Sequence, residues 1–207
     1  VFTREWCRLI YTFLFCIHYV MVTYVAGKVF YALLRSPAAM DACTVCGAPG
    51  AVDPSYNGYA YCLEHFRQLV IRRVRRDLRN NQLLDLKKPY AFRDDGSALA
   101  GLTRDILRDI FGPHIELDSD PDAGDGVIIP SCLEADVSER FGRYLAGESL
   151  SLPGIRPLRS VSVEDANALL GSSLEKSSYA HPLLLELERA QPGAFFAMSN
   201  VFKEREK

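Results

Sequence analysis

The chain has 207 residues, of which 48% are hydrophobic and 24% are charged, and its formal net charge is −2. This length allows one domain or one and a half, and the composition is that of an ordinary globular protein. The sequence has no internal repeat and no low-complexity tract, which excludes a repeat array and a largely disordered chain. Positive charge is concentrated in one segment, since six of the fourteen residues from 66 to 79 are arginine.

An apolar stretch dominates residues 1–39. Residues 9–27 contain no Asp, Glu, Lys or Arg, and nineteen such residues are long enough to span a bilayer. The chain begins with Val, however, and Met40 stands three residues before the first cysteine of the globular pattern. The favoured interpretation is an upstream stretch included by a mis-set start, which predicts a cytoplasmic protein. The alternatives are a membrane anchor and, less favoured, a signal sequence, because the apolar part exceeds a typical h-region.

Residues 40–66 contain a metal-ligand pattern. Two residues separate Cys43 from Cys46, fifteen residues follow, and two residues separate Cys62 from His65. This spacing lets each pair bind one ion from a tight turn, and zinc takes four such ligands. The pattern therefore predicts a zinc knuckle. The alternative is a disulfide pair or a set of free thiols, which the histidine in the last position argues against.

Residues 67–87 are predicted to form a basic helix and a linker. One side of the helical wheel is apolar. The opposite side carries arginines at the spacing i, i+3, i+4 and i+7, and this arginine stripe consists of Arg72, Arg75, Arg76 and Arg79. Guanidinium groups bind phosphate bidentately, so the stripe is a candidate phosphate-binding surface. The alternative is a solvated helix face, but four like charges repel one another, which favours an anionic ligand.

Residues 88–180 alternate between strand and helix patterns. The predicted strands are 90–92, 114–117 and 126–129, and the predicted helices begin near residues 97, 133 and 163. Such alternation implies a parallel sheet with right-handed crossovers. Residues 181–207 are predicted to be a helix over 182–189 and a tail that frays over 203–207.

This order of elements resembles that of the tRNA 2-thiouridine synthases of the PP-loop ATP-pyrophosphatase superfamily, over most of residues 41–203. The ligand pairs and the basic helix are similar to the family's N-terminal zinc module. The segment Ile155-Arg156-Pro157-Leu158-Arg159 resembles an Ile-Arg-Pro-Leu-Arg segment of the family. The resemblance implies an α/β protein in which a small zinc knuckle precedes a truncated parallel-sheet PP-loop (HUP-like) domain and C-terminal helices. It also implies tRNA as the ligand of the arginine stripe.

The catalytic parts depart from the family's pattern. The family binds pyrophosphate with a Ser-Gly-Gly-x-Asp-Ser loop, whose glycine amides lie at a helix N-terminus. The matching stretch here is Arg93-Asp94-Asp95-Gly96-Ser97, which is one residue shorter and in which Ser97 is predicted to be an N-cap. Because Asp94 and Asp95 place carboxylates where phosphate would bind, ATP is not expected as a cofactor. The family's sulfur-handling cysteines are missing, and Cys132, the one thiol of the α/β part, is expected to be a packing residue and not a catalytic one.

A scaffold that is kept while its catalytic loop is lost is typical of the family's non-catalytic partner, the Ctu-type second subunit. The resemblance therefore implies a shortened, catalytically degenerate paralogue that binds tRNA and docks on an active thiolase. Two alternatives stay open. One is an active ATP-dependent tRNA sulfurtransferase with an altered nucleotide loop. The other is a membrane-anchored zinc module that binds a protein partner, which requires residues 9–27 to be a real anchor.

Overall fold

The computed structural model of the chain describes residues 42–50, 52–54, 59–81, 83–85, 88–112, 115, 117–118 and 126–205. The α-helices within these ranges are α1 Leu63–Asn80, α2 Ala98–Phe111, α3 Leu133–Ala146, α4 Val163–Leu170, α5 Pro182–Ala190 and α6 Ala194–Arg205. The strands are β1 Tyr90–Phe92, β2 Leu117–Asp118 and β3 Val127–Ile128, and a short 3-10 helix spans Lys176–Ser178. The metal-ligand segment and the basic helix are continuous, because α1 begins at Leu63.

The predicted apolar stretch at residues 1–39 lies outside the described residues. Of the helices in the described part of the chain, none is long and apolar enough to cross a membrane.

The three described strands form a parallel sheet with β1 in the middle, in the order β2-β1-β3. Tyr90 pairs with Leu117, and Phe92 pairs with Ile128. All three residues of β1 are buried, as a central strand covered on both faces requires. The predicted α/β class with a parallel sheet is confirmed. The strand predicted at 114–117 has different bounds in the structure. There, β2 extends to Asp118, which pairs with the short central strand β1.

The main hydrophobic core lies where α1 and α2 pack near the sheet. Helix residues four apart share a face, and α1 buries such a row, formed by Phe66, Val70, Val74 and Leu78. These side chains belong to one cluster with Tyr90 and Phe92 of β1 and with the apolar face of α2. The apolar face predicted for the basic helix is therefore confirmed, with Leu69 half-buried at its edge.

The C-terminal helices form a second core, and here the prediction of a frayed tail over 203–207 is wrong for its first residues. The cluster joins α3, α5 and α6 through Leu133, Val137, Phe141, Leu184, Phe195 and Phe202. After the break at 191–193, Glu188 accepts hydrogen bonds from the N–H groups of Gly193 (2.9 Å) and Phe195 (3.2 Å), which fixes the start of α6. Because Phe202 is buried in this core, α6 continues to Arg205.

Asp77, near the C-terminal end of α1, joins three distant parts of the chain. Its carboxylate lies 2.7 Å from Arg159 Nε and 3.3 Å from Lys203 Nζ of α6. Burial opposes the charged form of Asp77, but the hydrogen bond and charge of Arg159, together with Lys203, hold its pKa below the usual value. The carboxylate is therefore ionised at neutral pH and holds α1, the 156–159 segment and α6 together.

Replacing Asp77 with Ala is expected to lower the free energy of unfolding by about 3–5 kcal/mol at about pH 7, because Arg159 is then buried without its carboxylate. Since the pKa of Asp77 is lower in the folded chain than in the unfolded one, this stability is present above about pH 4 and is lost as the pH falls through the folded pKa. Urea unfolding should therefore show a large difference in the free energy of unfolding between the parent and the variant at about pH 7, and a smaller difference at about pH 3.

The control for this experiment is Glu186→Ala, which breaks the exposed ion pair with Arg189 on α5. Exposed ion pairs contribute little to the free energy of unfolding, so this variant should be as stable as the parent at both pH values. An Asp77→Ala variant as stable as the parent at neutral pH would contradict the prediction.

Candidate functional site

The predicted metal ligands come together in the structure. Their ligand atoms all lie within 4.8 Å of one another, and the four residues are Cys43, Cys46, Cys62 and His65. A tetrahedral ion with Zn–S bonds of about 2.3 Å and Zn–N bonds of about 2.0 Å holds two sulfurs about 3.8 Å apart, and a sulfur and a nitrogen about 3.5 Å apart. The Cys46 and Cys62 sulfurs are 3.8 Å apart, and Cys43 Sγ is 3.5 Å from His65 Nδ1. The Cys62 Sγ to His65 Nδ1 distance is shorter, at 3.1 Å. The arrangement fits one tetrahedrally bound metal ion.

A tight turn presents the first ligand pair. The Cys43 N–H donates to the Ala48 carbonyl oxygen at 2.6 Å, and the Gly47 N–H donates to the Cys43 carbonyl oxygen at 2.8 Å. Gly47 has φ of 72°, a left-handed conformation that a residue without Cβ adopts at little cost. The glycine therefore closes the turn that points Cys43 and Cys46 to the same side.

The start of α1 presents the second ligand pair. Cys62 is the N-cap residue of α1, and His65 lies in the first turn of the helix. The Thr44 N–H donates to the Ala60 carbonyl oxygen at 2.9 Å, and the Thr44 hydroxyl donates to the same oxygen at 3.0 Å. These two bonds hold the turn of the first pair against the segment that leads into the helix, so a bound ion would tie the turn to α1.

The electrostatic surroundings of Cys43 favour the form that binds metal. Burial opposes ionisation of its thiol, but the backbone N–H groups of Cys62, Cys46 and Val45 stabilise the thiolate and lower the pKa of Cys43 to about 6. Because a thiolate and not a thiol is the metal ligand, this sulfur is ready to bind at neutral pH.

One metal ion per chain is expected, and the metal should provide most of the stability of residues 42–66, which have little core of their own. Chelation should unfold this segment while the α/β part stays helical, as hydrogen exchange and circular dichroism can measure. Cys46→Ser should lower the metal content, whereas Cys132→Ala, a thiol outside the set, should leave it unchanged. A natively purified, reduced sample without metal would contradict the assignment.

The arginine stripe is exposed along α1, as the helical wheel predicts. Within the described part of the chain, none of its four members forms an ion pair with a carboxylate. Arg72 Nε donates to the Gln68 carbonyl oxygen at 3.2 Å, one turn back on the same helix. The stripe therefore presents four guanidinium groups to solvent.

The other two arginines of α1 are held by acidic partners. Arg67 lies 2.7 Å from Asp109 of α2, and Arg73 lies 2.8 Å from the buried carboxylate of Asp165 at the start of α4. Arg67 and Arg73, which are not part of the stripe, are therefore paired within the fold.

The loop after β1, which the sequence matches to a phosphate-binding loop, is closed by its own side chains. Asp94 accepts a hydrogen bond from the Gly96 N–H at 3.0 Å, and Asp95 accepts one from the Ser97 N–H at 2.9 Å. Ser97 caps α2 as predicted, because its hydroxyl accepts from the Ala100 N–H at 3.1 Å. The N–H groups that a phosphate would use are thus bonded to carboxylates.

Arg104 of α2, which the sequence did not single out, stabilises this closed loop. Its guanidinium group is paired with the Asp94 carboxylate and lies 4.9 Å from the centre of the Phe92 ring. The Gly96 N–H and then Arg104 lower the pKa of Asp94. Asp94 therefore stays charged, and Arg104 is engaged with it instead of with an external anion.

ATP is expected to bind weakly or not at all, because Asp94 and Asp95 both occupy the N–H groups and repel phosphate. Changing both to Asn removes the charge but keeps hydrogen-bond acceptors, and changing both to Gly also frees the N–H groups. Affinity for ATP, measured by isothermal titration, should rise from the parent to the Asn pair and again to the Gly pair. The exposed acid Asp105, changed to Asn, is the control. Micromolar affinity of the parent chain would contradict the prediction.

Cys132 is placed as a packing residue. It is fully buried, and burial together with the charge of Glu134 raises its pKa to about 12. A thiol of this pKa is protonated at neutral pH and is a poor nucleophile. The described residues offer no second group of three or more possible metal ligands apart from the tetrad already described.

No model of a known protein family matches the sequence, and no curated protein matches it significantly. The fold, in contrast, is similar to that of a solved structure. The chain is similar to the structure of the U34-tRNA thiolase NcsA from Methanococcus maripaludis with its 4Fe-4S cluster, with a TM-score of 0.63 and 14% sequence identity. The likeness covers 80% of this chain and 87% of that chain. At this identity it establishes the fold, which confirms the fold-level part of the predicted resemblance.

Proposed function

We propose that the chain is a zinc-containing, catalytically degenerate tRNA-binding subunit of a tRNA uridine 2-thiolation system. The likeness of its fold to that of a U34-tRNA thiolase supports the RNA substrate class. The metal tetrad and the arginine stripe supply the means of binding. In this role the chain holds the RNA through its phosphates while another protein carries out sulfur transfer.

The proposal rests on the different surroundings of the arginines on α1. Arg67 and Arg73 have acidic partners, whereas the stripe faces solvent without one among the described residues. Four like charges on one helix face repel one another, and an external polyanion relieves this repulsion. Arg72 and Arg79 are about 10 Å apart along the helix axis, which is long enough to contact successive phosphates of one strand.

The closed loop and the buried thiol support a non-catalytic role. Asp94 and Asp95 occupy the backbone groups that would bind nucleotide phosphate. Cys132 is buried and protonated, so it is poorly suited to carry sulfur. We therefore infer that nucleotide activation and sulfur transfer come from a partner, a catalytically active thiolase paralogue.

Zinc is the ion that we propose for the tetrad. Three thiolates and one imidazole are a usual set for structural zinc, and the separations of the ligand atoms fit a single ion. An iron–sulfur cluster binds its cysteines through different irons, so its thiolates lie farther apart than those around one ion. In the cytoplasm, the location that we propose, thiols are kept reduced and such a set binds metal.

An active ATP-dependent tRNA sulfurtransferase is the alternative that the thiolase-type fold favours. It requires the loop over 93–97 to release its carboxylates when nucleotide is present. Thiolation of tRNA by the purified chain alone, dependent on ATP and a sulfur donor, would establish this alternative and overturn the proposed role.

Changing Arg75 and Arg76 together to Ala should weaken binding to all tRNAs by a similar factor. Each neutralised phosphate contributes about 0.7–0.9 to the slope of log affinity against log salt, so the slope should fall by about 1.4–1.8. Phosphate contacts position the RNA without reading its sequence, so no tRNA should be affected selectively. Filter binding across a salt series, with several tRNAs, measures both quantities.

The matched control is the double variant Arg67→Ala and Arg189→Ala, which removes the same charge from outside the stripe. It should change the slope much less than the stripe variant does. Unchanged affinity and slope in the stripe variant would identify the stripe as a solvated face. The protein-interaction alternative, whose anchor at 9–27 lies outside the described residues, would then be favoured.

A further inference from the structure

The metal knuckle exposes three large apolar side chains, Val45, Tyr59 and Leu63, and the first two lie on neighbouring segments. Val45, between the first two ligands, is 57% exposed, and Tyr59, three residues before Cys62, is 50% exposed. Thr44 and Ala60 are joined by two hydrogen bonds, so Val45 and Tyr59 each stand one residue away from the same junction. We call these two exposed side chains, Val45 and Tyr59, the knuckle patch.

The ligand tetrad, whose first pair encloses Val45, lies at the N-terminal end of the helix that carries the arginine stripe. His65, Arg72 and Arg79 are spaced seven residues apart, and residues at this spacing drift by only about 20° around a helix. The ligand His65 is therefore on the same side of α1 as the stripe, about 10 Å from Arg72 along the axis. A bound ion would fix the patch relative to this row of positive charge.

We propose that the knuckle patch is a stacking surface for an unpaired base of the same RNA whose phosphates contact the stripe. This inference rests on the proposed function. An aromatic ring binds any base through its π face, and Val45 adds apolar surface beside the Tyr59 ring. A guanidinium row that follows a phosphate backbone and ends at an exposed ring is typical of proteins that bind single-stranded segments.

The neighbouring charge favours RNA over a protein as the partner of the patch. A protein that covered both surfaces would have to be acidic along about 10 Å of α1 and apolar at the knuckle. RNA carries both properties in each nucleotide, as a phosphate and a flat base. Unpaired bases occur in the loops and ends of a tRNA and are absent from a blunt RNA duplex, and this difference makes the inference testable.

The test compares Tyr59→Ala, Tyr59→Leu and Tyr59→Phe in the full chain, with tRNA and with a blunt RNA duplex of similar length as probes. Tyr59→Ala and Tyr59→Leu should weaken tRNA binding about tenfold, as expected for the loss of one base–aromatic stack. Tyr59→Phe keeps the ring and should bind like the parent. Duplex binding and the salt slope should be unchanged in all three variants. Leu183→Ala, which removes an exposed apolar side chain from α5, is the control.

Metal content, measured on each variant, shows whether the knuckle is still folded. If Tyr59→Ala loses the ion, the inference is tested by comparing the tRNA affinities of the Leu and Phe variants. Both keep a large apolar side chain, and only the Phe variant keeps the aromatic ring. Equal tRNA affinity of the Leu and Phe variants, or an equal loss of tRNA and duplex binding, would overturn the inference. The Arg75 and Arg76 variant tests the proposed function separately, so stripe-dependent binding with no effect at Tyr59 would remove only the patch from the interface.

Discussion

The tetrad of candidate metal ligands is the constraint on which the arrangement of the candidate site depends, because an ion bound there would fix the start of α1. Cys62 caps this helix and His65 lies in its first turn, while the other two ligands come from the turn packed against it. Near its other end α1 is held by the contact of Asp77 with Arg159. With an ion bound, α1 would be fixed at both ends and would present its outer face in one direction, and a rigid row of charge loses less conformational entropy on binding than a mobile one.

The start of α2 shows how side chains can take the place of a bound anion. Backbone N–H groups at a helix N-terminus attract negative charge, which is the reason that such sites hold phosphate in many proteins. Here Asp94 and Asp95 supply that charge from within the loop, and Arg104 balances Asp94. The same physics that builds a nucleotide site therefore stabilises a closed loop. Arg104 is thereby engaged within the loop, whereas the arginine stripe of α1 stays exposed to solvent.

Local patterns predicted the parts of the structure that depend on local chemistry. The ligand spacing, the apolar face of α1 and the cap at Ser97 follow from residues a few positions apart, and all three are found. The end of the chain could not be predicted in this way, because α6 is stabilised by Phe202 in a core with α3 and by Lys203 at Asp77, far away in sequence. The role of Arg104 was missed for a related reason, since it depends on how α2 turns back over the loop.

The placement of charged residues on the inner and outer sides of α1 explains how a chain with a net charge of −2 can still present a strongly positive surface. One of the two acids of the helix, Asp77, faces inward, where Arg159 and Lys203 neutralise it. Arg73 also reaches a buried acid, Asp165, so the inward polar groups are satisfied inside the fold. The other carboxylate of the helix, Glu64, is exposed in the first turn and accepts a hydrogen bond from Gln68 at 3.0 Å, so no acid of α1 lies among the four outer arginines on the exposed face. Because electrostatic attraction at a surface depends on local and not on net charge, this helix can attract a polyanion although the chain as a whole is acidic.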